Sequence, residues 1–180
     1  MKRTLIVYYS RSGTARRAAE LLHRFTAWPR IEVRDVRDRA GGWGDLRCAF
    51  DSLFLRSPAY ELVGEDMRRV ERLVVVAPIW MAQLAAPMRS YLHDYFGNGD
   101  LPVNARVSLV CVMGREGAFN AAAEVARIAG KSPFPVLPLL QNDVMDGDCQ
   151  AQLQSLVHAL DLLDAEPQSV RPSWLSPDAG

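Results

Sequence analysis

The 180-residue chain is 49% hydrophobic and carries 21 basic against 21 acidic residues, a formal net charge of zero. That length and apolar content suit one domain whose core needs no disulfide or metal to staple it. The balanced charge excludes a global field that would recruit nucleic acid or an anionic membrane, so any anion site has to be local.

Thr4 to Tyr9 (TLIVYY) is a continuous apolar run, the pattern of a parallel strand buried on both faces. Ala15, Ala18, Leu22 and Phe25 then fall at helical spacing, with Arg16, Arg17, Glu20 and Arg24 opposite. Ile31 to Val36 alternates, which predicts an outer strand. Trp43, Leu46, Phe50, Leu53 and Phe54 form a second helical stripe, ended by Ser57-Pro58. Leu73 to Ala77 (LVVVA) predicts a third strand, and a helix follows Pro87 with Met88, Tyr91, Leu92 and Tyr95 inward.

Val107 to Met113 and Val136 to Leu140 complete five strands. A helix from Ala118 to the C-cap Gly130 lies between them, with Ala121, Ala122, Val125 and Ile128 inward. Cys149 to Leu163 closes the alternation with Leu153, Leu156, Val157, Leu160 and Leu163. The pattern predicts an α/β protein with an open, doubly wound parallel sheet and helices on both faces, over residues 1–164. The proline-bearing segment 165–180 is expected to be an extended or disordered tail.

Cys48, Cys111 and Cys149 are far apart, with no C-x-x-C pair and no histidine at ligand spacing, so they read as reduced thiols and no metal site is expected. The run Leu5 to Tyr9 is too short for a signal peptide, and nothing approaches the roughly 20 apolar residues of a membrane span. A soluble, cytoplasmic protein is expected.

In a sheet of this kind, ligands bind beyond the carboxyl ends of the strands. Three loops qualify: Ser10 to Ala15, Pro78 to Pro87 and Gly114 to Ala118. The first feeds a helix N-terminus, where free N–H groups and the macrodipole favour a phosphate. Ser10, Ser12 and Thr14 offer hydroxyls, Gly13 lets the backbone approach, and Arg11, Arg16 and Arg17 oppose the helix dipole unless an anion is present. The competing reading makes Ser12 an ordinary N-cap and the arginines a solvated face.

G-x-G-x-x-G and G-x-x-x-x-G-K-[ST] are absent from this turn, and no acidic pair follows the strand to hold Mg²⁺. Ser10 and Arg16 stand at the C-x5-R spacing of low-molecular-weight phosphatases, but a serine replaces the nucleophilic thiolate.

Residues 10–15, S-R-S-G-T-A, resemble the [ST]-x-[ST]-G-x-[ST] phosphate loop of the flavodoxin family. Residues 77–92 (APIWMAQLAAPMRSYL) and 113–118 (MGREGA) are similar to its second and third loops. The resemblance covers about residues 3–164. It implies a strand order of 2-1-3-4-5, FMN as cofactor, and cofactor contacts from Ser10, Arg11, Ser12, Gly13, Thr14 and Ala15. It adds Pro78, Ile79, Trp80 and Met81 along the ring, and Gly114, Arg115, Glu116 and Gly117 at its edge. Ala15 stands where a last hydroxyl is usual, so one contact of about 1 kcal/mol is missing.

No side chain need act as acid, base or nucleophile, because the flavin carries the chemistry, and no catalytic residue is assigned. His23, His93 and His158 lie away from the three loops. Two functions follow from the resemblance: an FMN-dependent NAD(P)H oxidoreductase acting on a quinone-like acceptor, or an electron-transfer protein docking on a redox partner protein. The second fits less well with a neutral chain, since carriers dock through complementary charge. A third reading keeps the fold without flavin. The apolar segment Trp43 to Phe54 suits a homodimer interface, a quinone pocket wall or plain core packing.

Overall fold

The structure is a computed structural model that describes residues 3–36, 59–64, 70–98 and 105–165. The stripe Trp43 to Phe54 and the tail beyond residue 165 lie outside the described residues. β1 (Thr4–Tyr9) forms as expected, with all its residues buried. Its run lacks polar alternation because both faces are covered: Leu5, Val7 and Tyr9 join one apolar cluster, Ile6 and Tyr8 the other.

α1 (Thr14–Thr26) places Ala15, Ala18, Ala19 and Leu22 in the second cluster. Phe25, expected inward, is 36% exposed; at about 100° per residue it falls on the flank of that stripe, in the last turn. β2 (Arg30–Asp35) pairs parallel with β1, and β3 (Tyr60–Gly64) pairs antiparallel with β2. β2 is therefore an inner strand, and the expectation of an outer one is corrected. Among the described residues the edge belongs to β3, where Glu61 to Gly64 are exposed, so its sequence carries no buried alternation to read.

β4 (Arg72–Trp80) lies at the centre, parallel to β1 and to β6 (Arg106–Met113). β5 (Gln83–Leu84) folds back antiparallel onto the end of β4. Next come α2 (Ala86–Gly97) and, after β6, α3 (Ala118–Ala129). β7 (Val136–Leu140) pairs parallel with β6 and leads into a short α4 (Gln141–Asp146) and then α5 (Gln150–Ala165). Among the described residues the sheet has seven strands rather than five, in the order β3-β2-β1-β4-β6-β7 with β5 attached to β4. Its five parallel strands keep the order 2-1-3-4-5.

Met88, Tyr91 and Leu92 of α2 and Ala121 and Val125 of α3 cover one face. Leu153, Leu156 and Leu160 of α5 join α1 on the other. Tyr95, Ala122, Ile128 and Val157 pack only partly buried against these clusters, and Leu163 is half-buried. At the amino edge, buried Arg72 donates to the Leu160 carbonyl at 3.0 Å, and Arg106 donates at 2.6 Å to the Leu163 carbonyl, one of the last four of α5. Among the described residues no helix is long and apolar enough to cross a membrane.

Candidate functional site

From β1 the chain turns to β2 on one side, while β4 lies on the other, so the strand order reverses between β1 and β4. A crevice forms at such a switch point, beyond the carboxyl ends of the strands. Because β1, β4 and β6 are neighbours, the loops that follow them meet there. The Arg11 guanidinium carbon lies 6.0 Å from the centroid of the Trp80 ring, joining the first loop to the second. A Cβ on Gly117, whose φ is 117°, would sit 2.7 Å from Ala82 Cα and from Ile79 Cγ2. The third loop is thus packed onto the second so closely that only glycine fits.

The first loop ends in an unusual helix start. Gly13, at φ 89°, is the N-cap of α1; no side chain caps this end, and no acidic residue lies in the first turn. Ser12 is therefore not the cap. Its hydroxyl pairs with the Thr14 hydroxyl at 3.2 Å, and Thr14 Oγ1 donates to Met145 Sδ at 3.7 Å. The Ser10 hydroxyl is buried and has no hydrogen-bond partner among the described residues. A buried hydroxyl without a partner costs about 1–3 kcal/mol, and here it stands beside uncapped helix N–H groups. Hydroxyl and backbone N–H donors of this kind suit an acceptor with several oxygens. Ala15 is buried and offers only its backbone.

The arginines behave differently from one another. Arg16 turns from the crevice to Glu32, a carboxylate only 5% exposed, which also accepts from Arg34 at 2.7 and 2.9 Å. Burial pushes the Glu32 carboxyl up, but the hydrogen bonds and charges of Arg16 and Arg34 outweigh it and hold the group below the ordinary carboxylate range. Arg16 thus finds its counter-charge inside the protein rather than in a ligand. Arg17 is exposed.

In the second loop, Pro78 and Trp80 are half-buried, Ile79 is buried and Met81 is 61% exposed. Trp80 meets the edge of Tyr9 at 6.0 Å between centroids and 82° between planes, while Tyr9 donates its hydroxyl proton to Asp35 at 2.7 Å. The β4–β5 hairpin turns through Met81 and Ala82, with φ of 50° and 61°. Positive φ at both central residues normally selects Asn-Gly; with Met-Ala it costs about 1–2 kcal/mol per residue. In the third loop Gly114, Arg115 and Glu116 are exposed. Phe119, in the first turn of α3, is 85% exposed. An open groove of about 420 Å³ runs from Met81 and Ala82 along α3 to Arg127.

The sequence gave no sign of Tyr9 and Asp35 behind Trp80, or of Met145 against the first loop. Glu124 was also missed, although it lies in phase with the inward residues Ala121, Val125 and Ile128 of α3.

Fold and crevice together define an α/β protein of flavodoxin-like architecture. Its fold matches that of a flavoprotein from Lactobacillus acidophilus solved in complex with FMN, at a TM-score of 0.61 and 19% identity, over 82% of this chain and 98% of that one. A flavoprotein from Bacteroides uniformis matches at 0.58 and 15% identity, over 85% and 98%. The Trp repressor binding protein of Bacillus subtilis matches at 0.54 and 13% identity, over 85% and 97%. No protein-family model matches the sequence, and no curated protein matches it.

Proposed function

We propose that the chain binds FMN in this crevice and acts as an NAD(P)H-dependent oxidoreductase toward a quinone-like small acceptor. The observation that carries the reading is the buried, unpartnered Ser10 hydroxyl beside the uncapped N-terminus of α1. A phosphate there gives that hydroxyl, the hydroxyls of Ser12 and Thr14 and the free helix N–H groups an acceptor at once. The Lactobacillus flavoprotein, solved with FMN, has the same fold.

Bound FMN supplies hydride and single-electron exchange. The chain's own residues bind and orient it. Gly13 lets the backbone close on the phosphate, and Ala15 withholds a further hydroxyl. Trp80, packed roughly perpendicular to Tyr9, would offer a π face to the ring. Arg11 lies over that indole and would add positive charge between the ring and phosphate ends of a bound FMN. Gly114 to Gly117 bring backbone near the ring edge, with Arg115 and Glu116 at the rim. A reductase is favoured over a carrier by the neutral chain and by exposed Met81 and Phe119 at the rim, an apolar border for a nicotinamide or quinone ring. Anaerobic mixing of the FMN-loaded protein with NADPH or NADH tests the choice: rapid bleaching of the visible absorption supports a reductase, and its persistence overturns that reading in favour of a carrier.

A further inference from the structure

Resting on the FMN reading, we propose that Arg89 of α2 and Glu124 of α3 are the positioning pair of the ring loop, fixing the Met81–Ala82 turn and with it the placement of Trp80. Both side chains are buried, at 1% and 8% exposure, and they form an ion pair through Arg89 Nε and Glu124 Oε1.

Their other bonds converge on one short segment of backbone. Glu124 Oε2 accepts the Leu84 N–H at 3.0 Å, and Arg89 Nη2 donates to the Leu84 carbonyl at 3.1 Å. The same nitrogen reaches Gln83 Oε1 at 3.4 Å. Both polar groups of a single β5 residue are thereby held from two helices. β5 needs that hold: it has two residues, its ladder pairs only Ile79 with Leu84 and Trp80 with Gln83, and the turn between them has two non-glycine residues at positive φ. Strained backbone of this kind persists only where its surroundings over-determine it.

A buried ion pair is a poor device for stability, because well-packed apolar residues in its place are commonly neutral or better. Geometry is what the pair supplies here. It anchors the far strand of the hairpin, whose near strand ends in Trp80, and the turn itself presses on Gly117 of the third loop. Without the pair the turn relaxes toward negative φ, and Trp80 and Gly117 lose their common support.

The test titrates the full-length protein with FMN, reading affinity and the position of the bound visible band, and measures the unfolding midpoint of the apoprotein. Arg89→Met/Glu124→Leu removes the pair without stranding a charge. It is expected to fold, to bind FMN about tenfold or more weakly, and to shift the band, which reports the ring's surroundings. Glu124→Asp, which keeps the charge, recovers part of the affinity, whereas Ser12→Ala weakens binding without moving the band. A folded double variant with wild-type affinity and band position overturns the proposal. If that variant does not fold, Glu124→Gln gives the same two readings, and wild-type values there overturn it equally. Failure of the unmodified protein to bind FMN is a separate result of the same titration and sinks the functional reading beneath.

Discussion

Replacing Ser10 by alanine is predicted to move stability and cofactor affinity in opposite directions. The hydroxyl is buried without a partner, so in the apoprotein it contributes a desolvation cost of about 1–3 kcal/mol and no hydrogen bond to offset it. Ser10→Ala removes the group and adds no bulk, so the apoprotein should be as stable as the original or more stable, by up to about 1 kcal/mol in urea unfolding. With FMN the sign reverses. A hydrogen bond to a charged phosphate contributes about 1.5–3 kcal/mol, so its loss should raise the FMN dissociation constant by roughly 10- to 100-fold, measured by quenching of flavin fluorescence. An apoprotein destabilised by more than about 1 kcal/mol, with unchanged FMN affinity, would show that the hydroxyl serves the fold and would refute the reasoning.

Other substitutions read separate parts of the site. Gly13→Ala meets open space but keeps φ at 89°, so it should cost only the left-handed backbone penalty of about 1–2 kcal/mol. Gly117→Ala adds a clash with Ala82 backbone at 2.7 Å and should cost distinctly more in the same unfolding assay. Glu32 has a folded-state pKa below its ordinary value because Arg16 and Arg34 outweigh its burial. Its stabilising contribution is therefore complete above the ordinary glutamate range, about pH 4, and is lost as pH falls through the lower folded value; Glu32→Gln should flatten that acid limb of the stability curve. Burial alone pushes the Cys111 thiol up to about 12, so alkylation at pH 8 should be negligible until the chain unfolds.

The parallel core was legible because burial on both faces leaves unbroken apolar runs such as TLIVYY and LVVVA, and because the helices keep one clear stripe each. What escaped detection was small or exposed. β5 has two residues and exists only because a hairpin closes on β4, while β3 lies at an edge with Glu61 to Gly64 exposed. Missing β3 also misplaced β2 at the edge, which hid the burial of Glu32 and with it the partner of Arg16. Within the candidate site, the strand-to-helix position of the first loop, with its hydroxyls and Gly13, could be read from the residue pattern. The identity of the cap could not: Ser12 and Gly13 are adjacent, both are good N-cap residues, and only the backbone angle of Gly13 decides between them. Glu124 was missed although it lies in an inward stripe, because its role depends on Arg89, which lies 35 residues away in sequence.

The central claim, an FMN cradle at the carboxyl edge of β1, β4 and β6, is tested most directly by adding FMN to the purified full-length apoprotein and following flavin fluorescence and visible absorption. Saturable, stoichiometric binding that Ser10→Ala and Ser12→Ala both weaken is the predicted result. Unquenched flavin at all protein concentrations would contradict it.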